Sequence, residues 1–279
     1  MIPSRPALRY YGGKWRIAPW IVRHFPAHKN YVELCGGAAS VLLHKPRSPV
    51  ETYNDIDGDV VNFFRVLRDQ TDELMRRLRL TPWSRVEYQL SSEPTDDPIE
   101  AARRFFVLSW QSIHGATQHT RSGWQVQKHA DDRRTIAAHG FMNMDHLYEV
   151  AERFKSVQLE CKDALGVAKR YDNSDTLHYF DPPYAPEVRA RCDRYKHEVD
   201  QDYHIAAAEV LRECQGYVVV SGMPCNLYTE LYDEHGWRRA ETMARANHGR
   251  TYIEALWLSP RVQQALDGLS DLPLFRGKP

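Results

Sequence analysis

The stretch YVELCGGAAS at residues 31–40 decides the fold. Tyr31 to Leu34 reads as a short buried strand. It runs straight into Cys35, Gly36, Gly37, Ala38, Ala39 and Ser40, a small-residue turn that opens a helix. Val50 to Tyr53 is a second strand, ending at Asn54 and Asp55. Strand, glycine turn, helix and strand together make one βαβ unit of an α/β sheet. Upstream, Ile17, Trp20, Ile21 and Phe25 recur at helical spacing and predict a helix over 15–25, stopped by Pro26. Downstream, strand signals return at Val157–Leu159, Leu177–Phe180, Tyr217–Val220 and Tyr252–Leu258, with helical stretches at Tyr203–Cys214 and Asn226–Tyr232. The stretch between 59 and about 155 reads as helices. Val60, Phe63, Phe64 and Leu67 share one face, and Asp97, Pro98 and Glu100 form a helix start ahead of Ala101, Ala102, Phe105 and Leu108. Residues 114–140 lose periodicity. The simplest architecture is an α/β domain made of residues 1–60 and 155–279, interrupted by a helical insertion at 61–154.

The chain has 279 residues, with 37 basic side chains against 37 acidic ones. This balance excludes a passive polybasic binder, while a local basic face stays compatible with it. Hydrophobic residues at 42% and charged residues at 27% exclude a disordered chain. No apolar run approaches the roughly 18 residues of a membrane helix, and Met1 to Arg5 carries no apolar signal region. The expectation is a cytoplasmic protein with no membrane partner. The five cysteines are Cys35, Cys161, Cys192, Cys214 and Cys225, with no CxxC pair among them. Their spacing argues against a disulfide framework or a structural zinc knuckle, and no metal is expected.

A strand that ends in glycines lets a ligand approach the backbone at the head of a helix. Asp55, at the tip of the next strand, can accept hydrogen bonds from two ribose hydroxyls. A tight turn with a capping aspartate accounts for the same pair equally well. The third glycine of the GxGxxG pattern is missing, which disfavours a nicotinamide oxidoreductase. The tetrapeptide Asp181, Pro182, Pro183 and Tyr184 says more. It follows an apolar strand, at the edge where α/β sheets place ligands. The prolines remove two N–H donors and keep the backbone extended, so carbonyl oxygens and the Asp181 carboxylate face a substrate as acceptors. An exocyclic amine seeks such acceptors, and Tyr184 offers a flat face for a base. Standing alone, the tetrapeptide would read as a proline-stiffened loop with an aromatic packing residue.

The motif order places it in context. YYGGK at 10–14, VELCGGAASV at 32–41, NDID at 54–57, DPPYAP at 181–186, Ser221 after a strand and EALW at 254–257 follow one another. In this order the chain resembles the Dam-type (D12 class) N6-adenine DNA methyltransferases. The resemblance covers most of the chain. It implies a Rossmann-like, seven-stranded methyltransferase sheet with a helical target-recognition insertion and double-stranded DNA as partner. It also implies S-adenosylmethionine as methyl donor, with S-adenosylhomocysteine as product. It carries Tyr10, Lys14, Glu33, Leu34, Cys35, Gly36, Gly37, Ala38, Asp55, Asp163, Ala164, Asp181 and Tyr195 over as cofactor-binding positions. Ala164 departs from the phenylalanine usual after that aspartate. Asp181, Pro182, Pro183 and Tyr184 become the catalytic clamp on a flipped adenine.

For DNA contacts, residues 119–124 match a family hairpin, which singles out Arg121 as a base reader and Trp124 beside it. Arg189, Arg191, Arg194 and Lys196 form a basic run after the clamp, and Arg238, Arg239, Arg245 and Arg250 form another; of these, Arg189, Arg191, Lys196 and Arg250 are taken as DNA-binding. Pro224 and Cys225 resemble the Pro-Cys dipeptide of cytosine-C5 methyltransferases, but with the clamp elsewhere Cys225 reads as inert. The alternatives are an N4-cytosine or RNA methyltransferase, since the clamp suits any exocyclic amine, and a non-catalytic DNA-binding regulator. A monomer that methylates each strand in turn and a homodimer are both compatible with the sequence.

Overall fold

The computed structural model describes residues 2–113, 115, 123–126, 133–188, 196–245 and 251–270, with the backbone alone at 133–136 and 269–270. The chain opens with helix α1 (Ala18–Val22), strand β1 (Asn30–Glu33), helix α2 (Ser40–His44) and strand β2 (Val50–Asn54). A helical run follows: α3 (Gly58–Asp69), α4 (Thr71–Arg79), α5 (Arg85–Leu90), α6 (Pro98–Gln111), α7 (Arg133–Met142) and α8 (His146–Phe154). Strands and helices then alternate as β3 (Val157–Glu160), α9 (Ala164–Tyr171), β4 (Thr176–Phe180), α10 (Gln201–Glu213), β5 (Tyr217–Gly222) and α11 (Asn226–Leu231). The described chain ends with β6 (Arg238–Arg245), β7 (Thr251–Leu258) and α12 (Pro260–Ser270).

The strands form one seven-stranded sheet in the order β3-β2-β1-β4-β5-β7-β6. The first five run parallel, and β7 is antiparallel to both β5 and β6. Side chains alternate between two apolar layers, as the pleat requires. Tyr31, Leu177, Tyr179, Val219, Leu256 and Leu258 face α1 to α3, whereas Val32, Phe180, Val218, Val220, Ala255 and Trp257 face α9 to α11. The central strands are apolar on both faces because helices cover both. The outcome is an α/β sheet with the expected seven strands.

Helix α1 is shorter than the apolar stripe predicts. Pro19 sits in its first turn. The flanks close as single turns, with Ile17 N donating to Lys14 O and Phe25 N to Val22 O. Strand β6 is absent from the sequence reading, which took Arg238, Arg239 and Arg245 as a basic cluster. Its burial pattern has little alternation, and it pairs with β7 alone, an edge position that tolerates charge.

The helical run shares its core with the sheet. Phe64 of α3 stacks on Phe154 of α8 with ring centroids 4.4 Å apart, and Phe63 stacks on Phe106 of α6 at 6.1 Å. A buried ion triad ties the return of this run to β2. Glu51 receives Lys45 at 2.7 Å and a bidentate Arg153, whose Nη2 also donates to Leu42 O at 2.9 Å. Asp97 caps α6 by accepting from Ile99 N at 2.9 Å, as its sequence signature predicts.

Candidate active site

The parallel strands β1, β2 and β4 deliver their carboxyl ends to a single cavity of about 360 Å³. Ligand sites of α/β sheets lie at this edge. Tyr10 to Lys14 form one wall, Glu33 to Ala38 the floor, and Asn54 to Asp57 with Lys162 to Ala164 a second wall. Asp181 to Pro183 and Tyr203 close the remainder.

The floor is set by packing as much as by ligand approach. Gly37 adopts a positive φ of 48°, and its N–H donates to Asp55 Oδ2 at 2.8 Å. Tyr53 donates its hydroxyl to Gly37 O at 2.6 Å, and its ring lies against Gly36 so closely that no side chain fits there. Asp55 is buried. Its other oxygen accepts from Asp57 N at 2.9 Å, and each oxygen keeps a lone pair for a further donor. Burial lifts its carboxyl to about 6. Glu33, at the end of β1, accepts from Tyr31 at 2.7 Å, and desolvation lifts its carboxyl to about 8.

Asp163 caps α9 by accepting from Gly166 N at 2.9 Å, and Ala164 is buried beside it. The aromatic side chain at this end of the cavity comes from α10. Tyr203 lines the cavity with Asp163 and Cys35, and its hydroxyl is held above the ordinary tyrosine range by desolvation and by those two neighbours. Sequence reading placed Tyr203 only in a helix; its place on the cavity depends on packing of α10 against α9.

The clamp residues share a network with Lys14. The Lys14 ammonium lies 2.8 Å from Asp181 Oδ1 and donates to the Tyr184 hydroxyl at 2.9 Å and Gly12 O at 3.2 Å. Tyr184 donates in turn to Glu254 Oε2 at 2.6 Å. Burial raises the Asp181 carboxyl to about 6, against the pull of Lys14. Asp181, Pro182 and Pro183 line the cavity, while Tyr184 stands just beyond its lining.

The cavity is acid-rich. Glu33, Asp55, Asp57, Asp163, Asp181 and Glu198 line it against Lys14, Lys162 and Lys196. That set of acceptors suits a cationic ligand bearing hydroxyl groups.

The DNA-contact candidates divide. Arg121, Arg189, Arg191 and Arg250, together with the cofactor candidate Tyr195, lie outside the described residues. Lys196 sits at the cavity rim, its ammonium 2.9 Å from Asp57 Oδ1 and 2.7 Å from Asp59 Oδ2. Trp124 pairs with Ser112 in an antiparallel bridge, donates to Gln111 Oε1 at 3.0 Å and lies under the Arg85 guanidinium at 5.0 Å. Arg238 is paired with Asp267 at 2.6 Å, and Arg239 with Asp233 and Glu241 at 3.1 Å each. Cys225 does not line the cavity, and burial pushes its thiol up, in keeping with an inert cysteine.

A family model of the D12 class N6 adenine-specific DNA methyltransferases matches residues 10–245. The chain is similar to the DNA adenine methylase of Escherichia coli strain K12, 27% identical over 244 residues, which cover 83% of this chain and 85% of that protein. It is 28% identical to the DNA adenine methylase of Salmonella typhi over 193 residues, 67% of each chain. The DNA adenine methylase of Serratia marcescens is 25% identical over 198 residues, 67% of this chain and 69% of the relative.

Proposed function

The chain belongs to the D12 class of N6 adenine-specific DNA methyltransferases, and from that premise we propose how its residues carry out the transfer. The observation that carries the proposal is the placement of Asp181 on the same cavity as the glycine turn and Asp55. The cavity volume falls within the ordinary range for small-molecule sites. Its excess of carboxyl groups fits S-adenosylmethionine, which supplies a methyl group on a positively charged sulfonium.

Asp55 receives the ribose hydroxyls on its remaining lone pairs. Glu33 and Asp181 face the positive charge from β1 and β4. Tyr203, on the cavity beside Asp163, provides the aromatic face for the cofactor adenine that Ala164 cannot provide. Tyr10 and Lys14 close the opposite wall.

The target adenine leaves the duplex stack and presents its amine to Asp181, with the Pro182 carbonyl as second acceptor and the Tyr184 ring beneath the base. The amine lone pair is delocalised into the ring. Two acceptors on its N–H groups favour a more tetrahedral, more nucleophilic nitrogen. That lone pair forms the new C–N bond, the C–S electron pair stays on sulfur, and the surplus amine proton is lost with Asp181 as the nearest acceptor. Alignment supplies most of the remaining acceleration. Trp124 and the arginines of the insertion and of the loop after the clamp are proposed to engage the DNA.

The roles separate in a binding and single-turnover experiment. Asp55→Ala weakens S-adenosylmethionine binding by calorimetry. Asp181→Asn weakens that binding less than Asp55→Ala does but loses methylation of duplex DNA, without losing the fluorescence rise of 2-aminopurine at the target position. An Asp181→Asn variant with wild-type turnover would overturn the assignment.

A further inference from the structure

The clamp is tied to a residue that stands outside the cavity lining. Glu254 on β7 is fully buried. Its Oε1 accepts from Ser221 on β5 at 2.8 Å, and its Oε2 accepts from Tyr184 at 2.6 Å. The Lys14 ammonium stands 3.8 Å from Glu254 Oε1 and 2.8 Å from Asp181 Oδ1. One ammonium therefore lies between two carboxyl groups on different strands. Both hydroxyls need only an acceptor, which a neutral amide oxygen also offers. The part of Glu254 that they do not explain is its charge, and a buried charge is expensive unless an ion partner answers it. The partner within reach is Lys14.

We propose that Glu254 is a positioning residue for methyl transfer: anchored by Ser221, it fixes the Tyr184 ring and takes a share of the Lys14 ammonium, so that the Asp181 carboxylate stays available to the target amine. This deepens the function above and rests on Asp181 being the amine acceptor. With Glu254 neutral, more of the Lys14 charge falls on Asp181, and the base amine must compete with a fuller ion pair for the same oxygens. Tyr184 also loses the charged acceptor that sets its ring.

A pH signature separates this role from simple packing. Lys14 pulls the Asp181 carboxyl down and Glu254 pushes it up. Among the described residues, the other titratable groups around Asp181 are Glu33 and Cys35 from β1 and its turn, Tyr252 from β7, Tyr228 from α11, and Tyr179 and Tyr184 on its own strand and loop. These are common to wild type and variants, so a difference between their profiles reads Glu254. Removing its charge lets the Asp181 carboxyl fall. Asp181 then stays ionised to lower pH, and the acid limb of kcat moves down.

The experiment is the kcat profile of the full chain from pH 5 to 9, with S-adenosylmethionine and duplex DNA. It compares wild type, Glu254→Gln, Ser221→Ala and Asp181→Asn, with circular dichroism melts as the folding control. Glu254→Gln is expected to lower kcat about tenfold or more with little change in cofactor affinity. Its acid limb shifts down by roughly one pH unit. Ser221→Ala lowers kcat less and leaves the limb in place, since the charge remains. Wild-type kcat in Glu254→Gln, or a loss with an unmoved limb, overturns the proposal. If Glu254→Gln does not fold, Ser221→Ala decides: a lowered kcat with an unchanged KM supports the role, and an unchanged kcat overturns it. An active Asp181→Asn would instead overturn the clamp assignment itself, whatever Glu254→Gln does.

Discussion

Gly36→Ala separates two reasons for a glycine at the ligand edge. If glycine is required so that a ligand can approach the backbone, the substitution should spare the fold and block binding. The structure points to a second reason. A Cβ at Gly36 would lie 2.5 Å from Tyr53 Cδ2 and 2.7 Å from Cζ, with Cε2 nearer still. Tyr53 has no room to yield. It is fully buried, its hydroxyl is bonded to Gly37 O, and its ring packs edge-on against Phe64 at 5.3 Å and Phe154 at 5.7 Å. Forcing a methyl into a packed core costs about 1–3 kcal/mol, and displacing the buried Tyr53 hydroxyl adds about 1 kcal/mol. The expected loss is therefore about 2–4 kcal/mol, read as a melting temperature roughly 5–10 °C lower. Combined with Tyr53→Ala, which opens the space, Gly36→Ala should add almost no further loss. Thermal melts of the four proteins of the cycle, each paired with cofactor titration, test this. A Gly36→Ala protein with wild-type stability and abolished cofactor binding would refute the packing argument, as would additive losses in the double variant.

Three further outcomes follow from the same geometry. Arg153→Ala strands the buried Glu51 carboxylate beside Lys45 alone and should cost about 3–5 kcal/mol, measured by denaturant unfolding. Tyr203→Ala should weaken S-adenosylmethionine binding by about 1–3 kcal/mol, while Tyr203→Phe keeps most of the affinity; equal losses would place the effect in the hydroxyl. With Asp55 and Asp181 raised to about 6 and Glu33 to about 8, these acids are protonated below those values and become anionic as pH rises. Binding of the cationic S-adenosylmethionine should therefore tighten from pH 5 to 8, more steeply than that of S-adenosylhomocysteine, and parallel slopes in calorimetry would contradict this.

The sequence exposes those parts of the molecule that depend on local chemistry. The glycine turn after β1, the aspartate cap of α6 and the proline clamp after β4 are each a short run whose backbone constraints act on neighbours, so they are visible without the fold. Strand β6 is not, because an exposed edge strand needs no apolar face, and its arginines read as a charge cluster until Asp267 and Asp233 are seen to meet them. Tyr203 and Glu254 are hidden for another reason. Their roles come from residues far away in sequence, Asp163 for one and Tyr184, Ser221 and Lys14 for the other. Gly36 was legible as a glycine of the ligand edge, but its contact with Tyr53 belongs to the packed sheet.

The central claim is that Asp181 directs methyl transfer to the N6 amine of adenine. Mass spectrometry of nucleosides tests it most directly, using unmethylated duplex DNA incubated with the protein and S-adenosylmethionine, beside Asp181→Ala. N6-methyladenine formed by the wild type and absent with the variant is the predicted result. N4-methylcytosine in its place, or N6-methyladenine that survives Asp181→Ala, would contradict the account.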